Sequence, residues 1–196
     1  MRPPLHYLLY RAGLVPAETQ TTAAERDCIA RHAAGKKVAV EIGVWHGVTT
    51  CRIAQALDPR GTLHAVDNFP VGRFGVSFQE RVARRETRKW AGNITFQRGD
   101  STAIAKRLKN ASIQQVEFIF IDGDHSFDGL KSDWEAWTPL LAPGGVVALH
   151  DSRPSDTMKI EDAGSVRFTR EVILRHPDFQ LLEQVDTLSV VQKSRA

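Results

Sequence analysis

Short apolar runs recur along this chain with helical patterns between them, and an acid stands at or just beyond the end of nearly every run. The runs are Lys37–Ile42, Thr62–Val66, Ile94–Gln97, Val116–Ile121 and Val146–Leu149. Helical segments are expected over residues 49–57, 77–91, 102–108, 127–140 and 166–175. Strands alternating with helices pair in parallel through right-handed crossovers, so the pattern predicts an α/β fold, a Rossmann-like doubly wound sheet. Val116–Ile121, rich in β-branched and aromatic residues, reads as a central strand covered on both faces. Phe179–Val185 and Leu188–Gln192 have almost no loop between them, which requires an antiparallel hairpin and gives the sheet a mixed edge. Such a sheet binds its ligand at the carboxyl ends of its strands. Glu41, Asp67, Asp100, Asp122 and Asp151 all fall there.

Local signals support the segmentation. Thr22-Ala23-Ala24-Glu25 and Ser77-Phe78-Gln79-Glu80 have the form of capping boxes, with Gly35 and Gly92 as the matching stops. The first of these helices precedes the first strand, so residues 1–36 are expected to form a helical extension of one domain spanning 1–196. A loop is expected at 69–76 and another at 153–164. A membrane helix needs ~20 apolar residues in succession, and no such run exists. The start of the chain lacks the apolar core of a secretion signal, and a cytoplasmic protein is the expectation. Cys28 and Cys51 have no metal-ligand spacing and read as buried hydrophobes. The net charge is +3, much of it in Arg81, Arg84, Arg85, Arg88 and Lys89. That basic helix offers an anion or nucleic-acid surface, or a solvated face; no aromatic interleaves with it before Trp90, which favours the solvated face.

Glu41-Ile42-Gly43-Val44-Trp45-His46-Gly47 is a glycine turn after the first strand. Glycine there lets a backbone or ligand approach without a Cβ in the way. Three residues separate Gly43 from Gly47, where a dinucleotide fingerprint has one, and the intervening Trp45 is bulky. The turn therefore suits a cationic, phosphate-free ligand better than a pyrophosphate. Asp67 can accept both hydroxyls of a ribose or cap its own turn. Asp100 can meet an adenine amino group, cap the helix after it, or do both. Asp122-Gly123-Asp124-His125-Ser126 and His150-Asp151-Ser152 end neighbouring strands, about 5 Å apart, and should face one cleft. Converging carboxylates and histidines there can hold a hard divalent cation or supply a general base.

Taken in order, Glu-x-Gly-x-x-x-Gly, the second-strand acid, Gly-Asp-Ser, Ile-Asp-Gly-Asp-His-Ser-Phe, Pro-Leu-Leu-Ala-Pro-Gly-Gly and His-Asp resemble the class I methyltransferases. More narrowly they resemble small bacterial methyltransferases with an Asp-Gly-Asp-His-Ser signature, kin to macrolide-sugar O-methyltransferases. The likeness runs from about Lys37 to Lys193. It implies a seven-stranded sheet with an antiparallel last strand and S-adenosylmethionine as cofactor. Glu41, Gly43 and Gly47 would then form the turn at the methionine part, Asp67 would meet the ribose, Asp100 the adenine, and Asp122 would lie beside the methyl group. In related metal-dependent enzymes, acids at the positions of Asp122, His150 and Asp151 hold magnesium. His150 stands here in an acid's place, and a neutral imidazole suits magnesium poorly, leaving a softer metal or none.

The activity this implies is O-methylation of a small hydroxylated acceptor, with Asp122, His125 and His150 as the catalytic candidates. The acceptor would enter between the 69–76 and 153–164 loops, with Trp45 and Phe74 as candidate walls. A nicotinamide-dependent reductase and a nucleic-acid-binding module on helix 77–91 are the competing readings. Homo-oligomerisation is left open.

Overall fold

The computed structural model describes residues 3–72, 75–111, 113 and 115–195. Of the expected 1–36 extension it therefore describes Pro3 onward. Helix α1 (Pro3–Arg11) comes first, then α2 (Ala23–Ala33). Thr22 opens α2 with the complete capping box: its hydroxyl accepts from Glu25 N–H while the Glu25 carboxylate accepts from Thr22 N–H. There follow β1 (Val38–Ile42), α3 (Val48–Ala56), β2 (Thr62–Asp67), α4 (Phe78–Glu86), β3 (Ile94–Arg98), α5 (Ser101–Asn110) and β4 (Val116–Ile121). The chain continues through α6 (Phe127–Trp137), β5 (Leu141–Leu149), α7 (Gly164–Glu171), β6 (Phe179–Val185) and β7 (Leu188–Lys193). Tight 3₁₀ turns extend α4 to Trp90 and α6 to Leu140.

The seven strands form one sheet in the order β3-β2-β1-β4-β5-β7-β6, as expected for the doubly wound class. β1 to β5 run parallel, and β7 runs antiparallel between β5 and β6. The winding reverses between β1 and β4, which makes that junction the switch point where open α/β sheets bind ligands. Register carries this to individual residues. Ile42 pairs with Val66 on one side and Ile121 on the other, and Ile121 pairs with Leu149. Gly43, Asp67, Asp122 and His150 each follow one of these paired ends, so they share one rim.

β4 is apolar on both faces because both faces are covered. Phe118 and Phe120 pack with Cys28, Ile29, Ile53 and Ala148 on one side. Ile119 and Ile121 pack with Trp134, Trp137, Leu149 and Phe168 on the other. Each such side chain contributes on the order of 1.5–3 kcal/mol by leaving water. Trp137 is fully buried, and its indole N–H is satisfied by the Ser101 hydroxyl at 2.7 Å.

Two local expectations need correction. β5 starts at Leu141 and not at Val146, with Ala142-Pro143-Gly144-Gly145 as a bulge inside it, since pairing jumps from Val116–Leu141 to Phe118–Val146. Proline and glycine, poor ladder partners, are absorbed there. Ser77 caps α4 by accepting from Glu80 N–H, but Glu80 does not reciprocate. Its carboxylate turns to Arg84 at 2.9 Å and Arg98 at 3.3 Å, where two cations outbid one amide. The basic helix spends part of its charge internally: Arg84 also lies over Phe96 and Arg81 over Tyr7 and Phe78. Among the described residues no helix is long and apolar enough to cross a membrane.

Candidate active site

The rim is held by backbone before any side chain acts. Gly43 N–H donates to Val66 O at 2.9 Å, and Asp122 N–H donates to Ile42 O at 2.8 Å, so the glycine turn is clasped between β2 and β4. Gly43 has φ +90°, and a Cβ on it would lie 2.0 Å from Asp122 O. Gly47, at φ +81°, opens α3 against Ala83 and Thr87. The Asp67 carboxylate closes the turn from the other side. One oxygen accepts from Val44 N–H (2.9 Å), Trp45 N–H (3.1 Å) and the Gln79 amide (3.1 Å); the second accepts from Phe69 N–H (2.6 Å).

A cavity of about 550 Å³ opens over this rim, within the range of small-ligand sites. Gly43, Trp45, Asp67, Asp122 and His125 line it. The segment Glu18-Thr19-Gln20 forms a further wall that no motif in the sequence announces. Phe74, the other expected wall, lies outside the described residues.

Three residues expected at the cofactor do not line the cavity. Glu41 is fully buried beneath the turn, because its side chain points to the face of the sheet and not past the strand end. Neither of its oxygens has a hydrogen-bond partner among the described residues, and burial raises its carboxyl well above the usual range. Gly47 faces α4. Asp100 is exposed and serves as the α5 cap, accepting from Ala103 N–H and the Thr102 hydroxyl, although its neighbours Gly99 and Ser101 do reach the cavity.

Behind the rim lies a buried charge cluster. The His150 ring is almost wholly enclosed, with Nδ1 2.9 Å from Asp122 Oδ1 and 3.7 Å from Asp151 Oδ1. Its Nε2 lies 3.4 Å from Glu25 Oε2. Burial alone would push this imidazole down, but the bonds to Asp122 and Glu25 outweigh it and raise its pKa to about 10. Glu25 is the residue that sequence reasoning missed, since its capping box accounted for it fully. Its other oxygen accepts from Thr187 N–H (2.9 Å) and the Thr187 hydroxyl (2.7 Å). Burial opposes its charge, yet the bonds from His150, Thr22 and Thr187 prevail and lower its pKa to about 2.

His125 is more open, its side chain 40% exposed, with Nε2 3.8 Å from Asp122 Oδ1 and Nδ1 3.6 Å from Asp151 Oδ2. Asp151 has φ +45°, a strained value for a non-glycine residue, and one buried oxygen without a hydrogen bond. Ser165 at the start of α7 pins both loops, its hydroxyl donating to Asp151 O and its N–H to His125 O.

As a metal set, Asp122, His150 and Asp151 do not fit. Both His150 nitrogens face carboxylates, and no lone pair of the ring is turned to the cleft. Among the described residues, ligand atoms converge within 4.8 Å at His6–Glu18–His46 and at Cys28–His32–Glu183, not at these three. Neither convergence is a ready site: His46 Nδ1 already accepts from Glu18 N–H, and burial pushes the Cys28 thiol up to about 12.

Solved structures share this architecture. Cofactor-bound Rv0187 from MTB superposes with a TM-score of 0.72 at 17% identity, covering 100% of this chain and 90% of that one. The O-methyltransferase from Bacillus cereus in complex with SAH gives 0.67 at 19% identity (98% and 91% covered). The Streptomyces achromogenes O-methyltransferase TomG, involved in tomaymycin synthesis and solved with SAM, gives 0.66 at 17% identity (99% and 90% covered). The architecture is the Rossmann-like fold of methyltransferases. A family model described as a methyltransferase domain matches residues 40–152, more than half of the sequence, and the chain belongs to that family. A curated relative, Uncharacterized protein y4gI of Sinorhizobium fredii, is 26% identical over 124 residues, a match that covers 62% of this chain and 14% of that protein.

Proposed function

We propose that this protein transfers a methyl group from S-adenosylmethionine to a hydroxyl of a small acceptor. The observation that carries the proposal is the continuity of one cavity from Asp67 to Asp122 and His125 across the switch point. The B. cereus and S. achromogenes relatives, an SAH-bound and a SAM-bound O-methyltransferase, support the same reading. Gly43 would admit the methionine part closely, Asp67 would meet the ribose hydroxyls, and the Asp122 carboxylate would face the cationic end. When bound, the cofactor supplies an electrophilic methyl group on a sulfonium.

The acceptor's hydroxyl must be aligned and must lose its proton. His125 is the base in this proposal. It lines the cavity, its ring is accessible, and Asp151 beside Nδ1 orients the ring and stabilises the charge it gains. His150 is unsuited to that role because neither nitrogen is free to take a proton.

Calorimetric titration with S-adenosylmethionine and S-adenosylhomocysteine tests the cofactor. One site per chain is expected; no heat and no thermal shift at millimolar ligand would sink the proposal. A screen of hydroxylated small molecules with methyl-labelled cofactor then tests the acceptor class.

A further inference from the structure

Where the resemblance to metal-dependent enzymes calls for a divalent cation, we propose that this site carries its own: the His150 imidazolium, clamped between Glu25 and Asp122, with no divalent metal ion bound at the rim. The inference rests on the methyltransferase reading only for the meaning of the site, not for its geometry.

A neutral imidazole has one N–H and one lone pair. In a ring this enclosed, with Asp122 hydrogen-bonded to one nitrogen at 2.9 Å and Glu25 3.4 Å from the other, a lone pair on either would lie beside a carboxylate oxygen. Such a contact in a buried setting is repulsive. N–H groups on both nitrogens would serve both sides, and the form of the ring that carries two is the cation. The acids facing it are Glu25, Asp122 and Asp151, and the second histidine ring, His125, lies edge-on at 6.5 Å.

Glu25 keeps the ring in that state because it cannot swing away. Thr22 N–H holds one of its oxygens and Thr187 the other through two bonds, which ties it to α2 and to the β6–β7 turn at once. The imidazolium then does part of what a metal would do at this rim. It fixes Asp122 in orientation and offsets one of the clustered negative charges, while Asp122 still faces the cavity. A metal would need His150 to lose a proton, break one clamp and present a lone pair to the cleft.

Manganese(II) tests this directly, since it shares magnesium's preference for oxygen ligands and is read by electron paramagnetic resonance. Wild-type protein, with and without S-adenosylhomocysteine, should leave the signal of free manganese unchanged up to millimolar metal. A Glu25→Gln/His150→Asp variant, with the clamp removed and a carboxylate restored, should bind manganese tighter than wild type by roughly tenfold or more. Saturable binding of one manganese per wild-type chain, abolished by Asp151→Ala, would overturn the inference. The wild-type measurement decides the matter even if the double variant fails to fold. Calorimetry with S-adenosylhomocysteine on the same samples keeps the two proposals apart: loss of that binding counts against the methyltransferase reading and leaves the manganese result standing.

Discussion

Replacing Gly43 with alanine should damage both the fold and the site, for reasons that can be sized. The new Cβ would sit 2.0 Å from Asp122 O, 2.6 Å from its carbonyl carbon and 3.2 Å from Gly123 N, against an ordinary contact of at least 3.4 Å. All three neighbours are backbone, so no rotamer change relieves the clash, and β1 and β4 must part at their ends. The positive φ adds about 1–2 kcal/mol for a residue with a Cβ, and overpacking of this kind costs about 1–3 kcal/mol. For a chain of this size the combined loss lowers the melting temperature by roughly 10 °C. Gly47→Ala is the matched control. It too has positive φ, but its nearest neighbours are 3.1 Å away and one of them is a side chain, so its cost stays near about 1–2 kcal/mol. Thermal unfolding and calorimetry with S-adenosylhomocysteine on both variants form the assay. Gly43→Ala should also weaken S-adenosylhomocysteine by an order of magnitude or more, and Gly47→Ala should change it little. Equal melting temperatures and equal affinities would refute the claim that close approach of β1 to β4 shapes the turn.

Glu25→Ala strips four partners of their acceptor and leaves His150 with an unopposed Nε2; urea unfolding should register a loss of about 3–5 kcal/mol, and Thr187→Val about 1 kcal/mol. His150 sits at about 10 in the folded chain against an ordinary 6.5, so its stabilisation is full below about pH 6.5 and is lost as pH climbs toward 10. The stability gap between wild type and His150→Gln, measured by urea midpoints, should therefore narrow on the alkaline side; a constant gap would refute the assignment. Glu25 sits at about 2 against 4.5, so its share is present above about pH 4.5 and disappears as pH falls toward 2. His125→Gln should leave S-adenosylhomocysteine affinity within a few-fold and abolish methyl transfer to any acceptor that the screen identifies; retained transfer would remove His125 as the base.

Much of the architecture was legible because it depends on local pattern. β4 has the bounds that its apolar run predicts, Val116–Ile121, and the closing hairpin lies where the missing loop requires it. Asp67, Asp122 and His150 do share one rim, since equal register in a parallel sheet brings strand ends level. What pattern could not convey was which face each residue would present. Glu41 and Asp67 both stand near strand ends, yet one is sealed under the turn and the other accepts from its backbone. Glu25 was illegible for a different reason: its partners His150 and Thr187 stand more than a hundred residues away, and no periodicity links them. The Glu18–Gln20 wall carries no motif at all.

The Glu25 carboxylate joins a helix near the beginning of the chain to the Thr187 turn, 162 residues later, and His150 completes its charge only between those two. Contacts of such separation close late, because the intervening chain must first be ordered. During synthesis β1 to β5 can pair in sequence, but the rim stays electrostatically incomplete until the β6–β7 hairpin has docked. Competence of the site is thus tied to the last strand pair, and a chain interrupted before Thr187 lacks both the clamp on His150 and the strand that joins β5 to β6.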